Sequence, residues 1–170
     1  SDSPVHPEAT TILSSICIEV HIIPIKHTGM IWNLLKAFVN GNPLQVGYFY
    51  RSSAQAEISK LIQQHKPDHI FCQLIRVSEY VKDQPIPKTL DYQDIFSMGA
   101  KRQAETAPFW KSPFLLLEYR RLLNYEQSIF GKFDHKCIIS VPDRELLSHP
   151  DRNKVVIIPN GVDHDFFKPL

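Results

Sequence analysis

The stretch Lys154–Asp163, near the end of the chain, constrains the fold more than any other part of the sequence. Its residues are Lys-Val-Val-Ile-Ile-Pro-Asn-Gly-Val-Asp, and a β-branched run without a polar interruption is typical of a buried strand. The Pro-Asn-Gly that follows ends the strand and turns the chain sharply. The sequence therefore predicts a central strand that delivers a tight turn to the edge of a domain.

Strands and helices alternate along the rest of the chain. Hydrophobic patterning predicts strands at residues 19–25, 69–74, 88–94 and 136–141, and helices at 8–17, 30–39, 95–107 and 114–130. It also predicts a short extended segment at 45–50, a helix capped by Ser52 or Ser53, a short helix at 75–81 and a helix beginning near Pro142. This alternation predicts an α/β fold, a Rossmann-like three-layer domain with a mostly parallel sheet.

Composition narrows the classes of function. The 170 residues are enough for one domain, and a formal net charge of +1 gives no reason to expect nucleic acid as a partner. No apolar run approaches the roughly 20 residues of a membrane span, and the N-terminus lacks the features of a signal peptide, so we expect a cytoplasmic protein. Cys17, Cys72 and Cys137 lie in or beside apolar segments without paired spacing, which favours buried free thiols over disulfides or metal ligands.

Polar residues follow several of the predicted strands. Because open α/β sheets place ligands at the carboxyl ends of their strands, Arg76 is a candidate contact for an anion or a sugar. Gln93 and Asp94 follow another strand and are weak catalytic candidates, while Asn160 and Gly161 follow the last one. Each has a structural alternative: an arginine paired with a surface carboxylate, a helix N-cap at Asp94, and a simple Asn-Gly turn.

Two other groups of polar residues have the composition of a functional site. Glu126 lies on the apolar stripe of the predicted long helix, where it would form a structural ion pair with Arg120 or Arg121, or orient the edge of the site. Asp163, His164 and Asp165 are adjacent and cannot easily converge on one ion, so we expect no metal site there. The sequence has no GxGxxG or P-loop pattern, which argues against a dinucleotide or NTP fingerprint.

Four segments follow one another in a characteristic order: Cys17–Pro24, Glu126 eight positions before Asp134, Ile139-Ser140 with Asp143-Arg144 and Leu147, and Val156–Asp163. Together they resemble the retaining glycosyltransferases of family 4, which have the GT-B fold. The resemblance is closest to the exopolysaccharide-associated branch and covers most of the chain, although residues 82–112 match only loosely.

The resemblance implies an acceptor-side domain at residues 1–159, without the family's opening strands, and the start of an interdomain junction at 160–170. A C-terminal domain, which is not in this chain, would hold most of the nucleotide-sugar donor, so no other cofactor is expected and the chain alone should be inactive. The complete enzyme would transfer the sugar to a glycan or lipid-linked acceptor. Many members of that family have a histidine where this chain has Gln93, and glutamine can orient a sugar but cannot transfer a proton.

The implied partners are the acceptor, the absent donor domain and a second copy that pairs through an exposed sheet edge. Contact with a membrane would be at most peripheral, at its inner face. Two other functions remain open at this point: a GT-B epimerase that acts on a nucleotide sugar, and a Rossmann-like interaction module without catalysis.

Overall fold

The computed structural model of the chain describes residues 6–25 and 29–161, and the chain divides after Pro67 into two compact units. The last residues of the predicted junction, including Asp163, His164 and Asp165, lie outside the described residues. Within the described ranges, no helix combines the length and the apolar character that a membrane span requires.

The N-terminal unit is helical. Its helices are α1 (Pro7–Ile16), α2 (Met30–Val39), α3 (Leu44–Phe49) and α4 (Ser52–His65). The predictions at 8–17 and 30–39 are confirmed, whereas the strand predicted at 19–25 is wrong, because that segment pairs with no strand among the described residues. Neither Ser52 nor Ser53 caps α4, since both lie inside the helix and the N-cap residue is Arg51.

The extended segment predicted at 45–50 is also wrong, because residues 45–49 belong to α3 and only its C-cap residue, Tyr50, is extended. Pro43 stands at the N-cap with a φ of −58°, a value that suits a helix start. Gly47 lies against α2 so closely that a Cβ there would be 2.4 Å from the Cβ of Ala37. The aromatic residues around Gly47 have the composition of a strand, but they form helix α3. The missing side chain at Gly47 lets α3 pack closely against α2.

The C-terminal unit contains a parallel sheet of four strands in the order β1-β2-β3-β4. The strands are β1 (Ile70–Gln73), β2 (Lys88–Asp91), β3 (His135–Ile138) and β4 (Val156–Ile157). All three pairings are parallel, with Cys72 opposite Leu90, Asp91 opposite Cys137, and Ile138 opposite Ile157. The predicted α/β class with a mostly parallel, Rossmann-like sheet is confirmed.

Helices connect these parallel strands. A 3₁₀ helix (Ile75–Tyr80) follows β1, α5 (Phe96–Thr106) and α6 (Ser112–Phe130) lie between β2 and β3, and α7 (Val141–Leu146) and a 3₁₀ turn (Arg152–Lys154) precede β4. Helices α5 and α6 pack against each other. The core of this unit includes side chains that are almost fully buried, namely Ile75, Leu90, Tyr92, Leu122, Ile129 and Ile138.

The strand that carries the junction stretch is not central. In the described part of the chain β4 forms one edge of the sheet and has only two residues. Val155 is 1% exposed, but Val156 and Ile158 are 59% and 57% exposed. An apolar, β-branched run predicts a strand correctly here, but the run does not reveal whether a neighbour covers both of its faces.

Two polar residues of the resembling segments stabilise local structure. Asp134 Oδ2 accepts a hydrogen bond of 2.8 Å from the Lys88 amide, and the Asp134 amide donates to the Lys88 carbonyl at 3.0 Å. These bonds hold the start of β2 beside the start of β3. Ser140 caps α7, since its hydroxyl accepts from the amide of Asp143 at 3.2 Å and donates to the Asp143 carboxylate.

The cysteines differ in burial. Cys72 and Cys137 are buried free thiols, as predicted, whereas Cys17 is exposed, so its predicted burial is wrong. Burial raises the pKa of Cys72 to about 12. The Cys72 thiol is therefore protonated at neutral pH.

Candidate functional site

The carboxyl ends of the strands meet along one edge of the sheet. Hydrogen bonds continue the sheet beyond the strands: the Leu74 amide donates to the Asp91 carbonyl at 2.9 Å, and the Tyr92 amide donates to the Cys137 carbonyl at 3.0 Å. Residues that follow these strands therefore emerge at the same edge, the place where open α/β sheets bind ligands.

Gln93 occupies a constrained turn directly after β2. Its φ is +59°, a left-handed conformation that is uncommon for a residue with a side chain. The Asp94 amide closes the turn by donating to the Tyr92 carbonyl at 2.6 Å. Asp91 holds the turn from the other side, since its carboxylate accepts from the Gln93 amide at 3.2 Å and from Gln93 Nε2 at 2.5 Å. The side-chain amide of Gln93 is thus held in one orientation.

The buried carboxylate of Asp91 also faces the adjacent strand. Asp91 lies opposite Cys137 in the sheet, and both residues are buried. Burial, followed by the nearby Asp91 charge and a hydrogen bond to it, raises the pKa of the Cys137 thiol to about 11. A neutral thiol can donate to the carboxylate, so Asp91 acts as a fixed acceptor beneath Gln93.

Asp94 is exposed, and its Oδ1 accepts a hydrogen bond of 2.7 Å from the Ile95 amide. The N-cap residue of α5 is Ile95, not Asp94, and no side chain of the N-cap makes a capping bond. The carboxylate of Asp94 therefore stands one residue before the cap, at the edge of the sheet, where it can accept hydrogen bonds from a ligand.

Arg76 reaches from the connection after β1 to the start of α5. Its guanidinium carbon lies 5.5 Å from the centroid of the Phe96 ring. A guanidinium over an aromatic face is favourable, by about 0.5–1 kcal/mol at a partly exposed site. This contact places a positive charge beside Phe96, the first residue of α5, which follows Asp94 by two positions.

Asn160 and Gly161 follow β4 at the same edge and are exposed. Strand β3 separates β4 from β2, so their axes are about 10 Å apart. The structure thus places Arg76 against Phe96, two residues after Asp94, whereas Asn160 lies two strands away. A ligand that contacted both groups would have to be at least the size of a sugar.

Glu126, on α6, supports this edge from within the core. It is 1% exposed, and its two carboxyl oxygens accept from the Ser97 amide at 2.9 Å and from the Ser97 hydroxyl at 2.6 Å. Burial raises the pKa of Glu126, and the hydrogen bonds from Ser97 oppose that shift. The carboxyl group of Glu126 is hydrogen-bonded to Ser97, not to Arg120 or Arg121 as the predicted ion pair required. Glu126 therefore caps the N-terminus of α5.

Sequence reasoning missed the supporting residues Asp91, Ser97 and Tyr92. The Tyr92 side chain is fully buried, and its hydroxyl has no hydrogen-bond partner among the described residues. Its pKa is raised by burial and by the charge of Glu126. The only sequence signal for such residues is a polar side chain at the end of a predicted strand. This signal does not distinguish side chains that face a ligand from side chains that hold the turn.

Comparisons of the chain with protein-family models, with curated proteins and with solved structures found no match.

Proposed function

We propose that this chain is the acceptor-side domain of a retaining GT-B glycosyltransferase. The observation that carries the proposal is the polar turn of Gln93 and Asp94 at the carboxyl edge of an all-parallel sheet, with the guanidinium of Arg76 over the ring of Phe96, two residues further along the chain. The enzyme transfers a sugar from a nucleotide-sugar donor to a glycan or lipid-linked acceptor. A separate C-terminal domain binds most of the donor, and this chain alone is inactive.

Each residue at the edge has a role that its chemistry permits. Gln93 orients a sugar hydroxyl through its side-chain oxygen, because its nitrogen is already bonded to Asp91. Asp94 accepts hydrogen bonds from further hydroxyls, and Arg76 binds a phosphate or sugar oxygen. Gln93 cannot act as a general base, so proton transfer does not pass through its side chain.

The turn after β4 contributes the side of the site that faces the second domain. Asn160 offers an amide two strands from Gln93, and Gly161 leaves the backbone accessible. The enzyme acts in the cytoplasm and touches the inner face of the membrane when its acceptor is lipid-linked.

The test measures sugar transfer by the full-length protein with labelled nucleotide sugars. Gln93→Asn is the informative variant, because asparagine tolerates a positive φ but moves the amide back by one methylene. A displacement of about 1 Å in a positioned group can cost about a hundredfold in rate. We expect kcat/KM to fall at least tenfold, whereas Gln103→Asn, at an exposed position on α5, leaves it unchanged.

Other outcomes would contradict the proposal. Equal activity of Gln93→Asn and Gln103→Asn would show that Gln93 does not position the substrate. Interconversion of nucleotide sugars without an acceptor would identify an epimerase, and micromolar binding of a nucleotide sugar by this chain alone would overturn the placement of the donor. Absence of any transfer or hydrolysis by the full-length protein would favour a non-catalytic module.

A further inference from the structure

Glu19, His21 and His65 form a compact group in the N-terminal unit. Glu19 Oε2 lies 2.9 Å from His21 Nε2 and 3.5 Å from His65 Nε2. One potential ligand atom from each residue lies within 4.8 Å of the other two. Among the described residues, no other group of three or more histidines, cysteines and acids meets this criterion.

The three side chains come from two parts of the N-terminal unit. Glu19 and His21 are two residues apart in the segment that follows α1, which has no regular secondary structure. His65 is the last residue of α4, and its ring centroid is 5.9 Å from that of His21. The sequence did not indicate this group, because His65 is far along the chain.

The distances suit a metal of the size of zinc. Bonds of about 2.0–2.2 Å arranged as a tetrahedron place neighbouring ligand atoms about 3.3 Å apart. The two distances from Glu19 Oε2 lie on either side of this value. All three residues are exposed, so their side chains can adjust to bring the two imidazoles to the same spacing.

Two imidazoles and one carboxylate are also the donor set that Zn²⁺ accepts, and three protein ligands leave a fourth position for water. His21 borders an open groove of about 500 Å³ as well, together with Val20, Ile22, Ser53 and Glu57. An ion held by His21 would therefore lie beside a space in which a further ligand fits.

We propose that Glu19, His21 and His65 bind a divalent transition-metal ion, with Zn²⁺ the best match. The alternative is a set of solvated ion pairs, which contributes about 0–1 kcal/mol to stability and requires no metal. The metal site is independent of the proposed sugar transfer, because its residues belong to the other unit and its test measures metal affinity.

The test is calorimetric titration of the metal-free chain with Zn²⁺. The exposed Cys17 thiol could bind zinc itself, so every titration uses the Cys17→Ser background. We expect one equivalent of Zn²⁺ with micromolar or tighter affinity. Cobalt absorption in the visible range provides a second readout of a tetrahedral site.

Single substitutions separate a site from surface histidines. His21→Ala, His65→Ala and Glu19→Gln should each weaken Zn²⁺ binding by about tenfold or more. His135→Ala is the matched control, since the rings of His69 and His135 stack at 6.1 Å without belonging to a three-ligand group in the described chain. The proposal is overturned if saturable binding is absent, or if its affinity is the same in His21→Ala, His65→Ala and the control.

Discussion

Truncation of Glu126 tests how the core supports the candidate site. In Glu126→Ala, the amide and the hydroxyl of Ser97 lose their acceptor while both remain inside the protein. Ser97 is fully buried, so water cannot easily replace the carboxyl. We expect the start of α5 to lose stability, and the turn that holds Gln93 and Asp94 with it.

The magnitude follows from the contacts that are lost. Loss of a helix cap costs about 0.5–2 kcal/mol. A buried donor left without a partner costs about 1–3 kcal/mol, and a lost methylene about 0.8 kcal/mol. Removing a buried carboxyl offsets part of this cost, so we expect the free energy of unfolding to fall by about 2–4 kcal/mol. For a chain of this size, that corresponds to a decrease in Tm of roughly 5–15 °C.

Two measurements check this prediction. Urea unfolding gives the free energy, and hydrogen exchange reports whether the Ser97 amide exchanges faster in Glu126→Ala. Asn124→Ala is the matched control, because Asn124 is exposed on the same helix. A loss below about 1 kcal/mol, or unchanged protection of the Ser97 amide, would refute the capping role.

The remaining predictions concern pH and packing. The pKa of Glu126 is raised above its ordinary value of 4.5, so its contribution to stability is fully present below that pH and is lost as pH rises through the folded-state pKa. Urea unfolding gives the free energy of unfolding of the unaltered chain and of Glu126→Gln. The advantage of the unaltered chain over Glu126→Gln should fall as pH rises, and an advantage that stays constant or grows would contradict the raised pKa. Gly47→Ala should lower the free energy of unfolding by about 1–3 kcal/mol, because its Cβ would meet that of Ala37. Gly99→Ala, where a Cβ meets nothing within 4 Å, should stabilise α5 by up to about 1 kcal/mol, and equal melting temperatures for the two variants would exclude the clash.

The sequence predicted the sheet well where apolar runs are bounded by turns. Strands β1 and β2 and helix α6 lie where periodicity and Pro or Gly signals placed them. Residues 19–25 have an equally apolar composition, but a strand forms only when a neighbouring strand accepts its hydrogen bonds. Composition cannot supply that neighbour, and no strand pairs with this segment in the described chain.

Predictions about the site had the same limit. Parallel strands separated by helices end at one edge, so the location of Gln93 and Asp94 could be predicted. The inward direction of Glu126 also followed from helical periodicity. Its partner did not, because Ser97 is 29 residues away and the two meet only after α5 packs on α6.

The order of the strands determines how much chain entropy each pairing costs during folding. Lys88 lies 18 residues after its partner Ile70, whereas His135 lies 46 residues after its partner Thr89. The longer closure costs about 0.8 kcal/mol more in loop entropy. Helices α5 and α6 lie within this longer connection, between β2 and β3, and their docking shortens the effective loop. The packed helix pair therefore lowers the entropic cost of pairing β3 with β2.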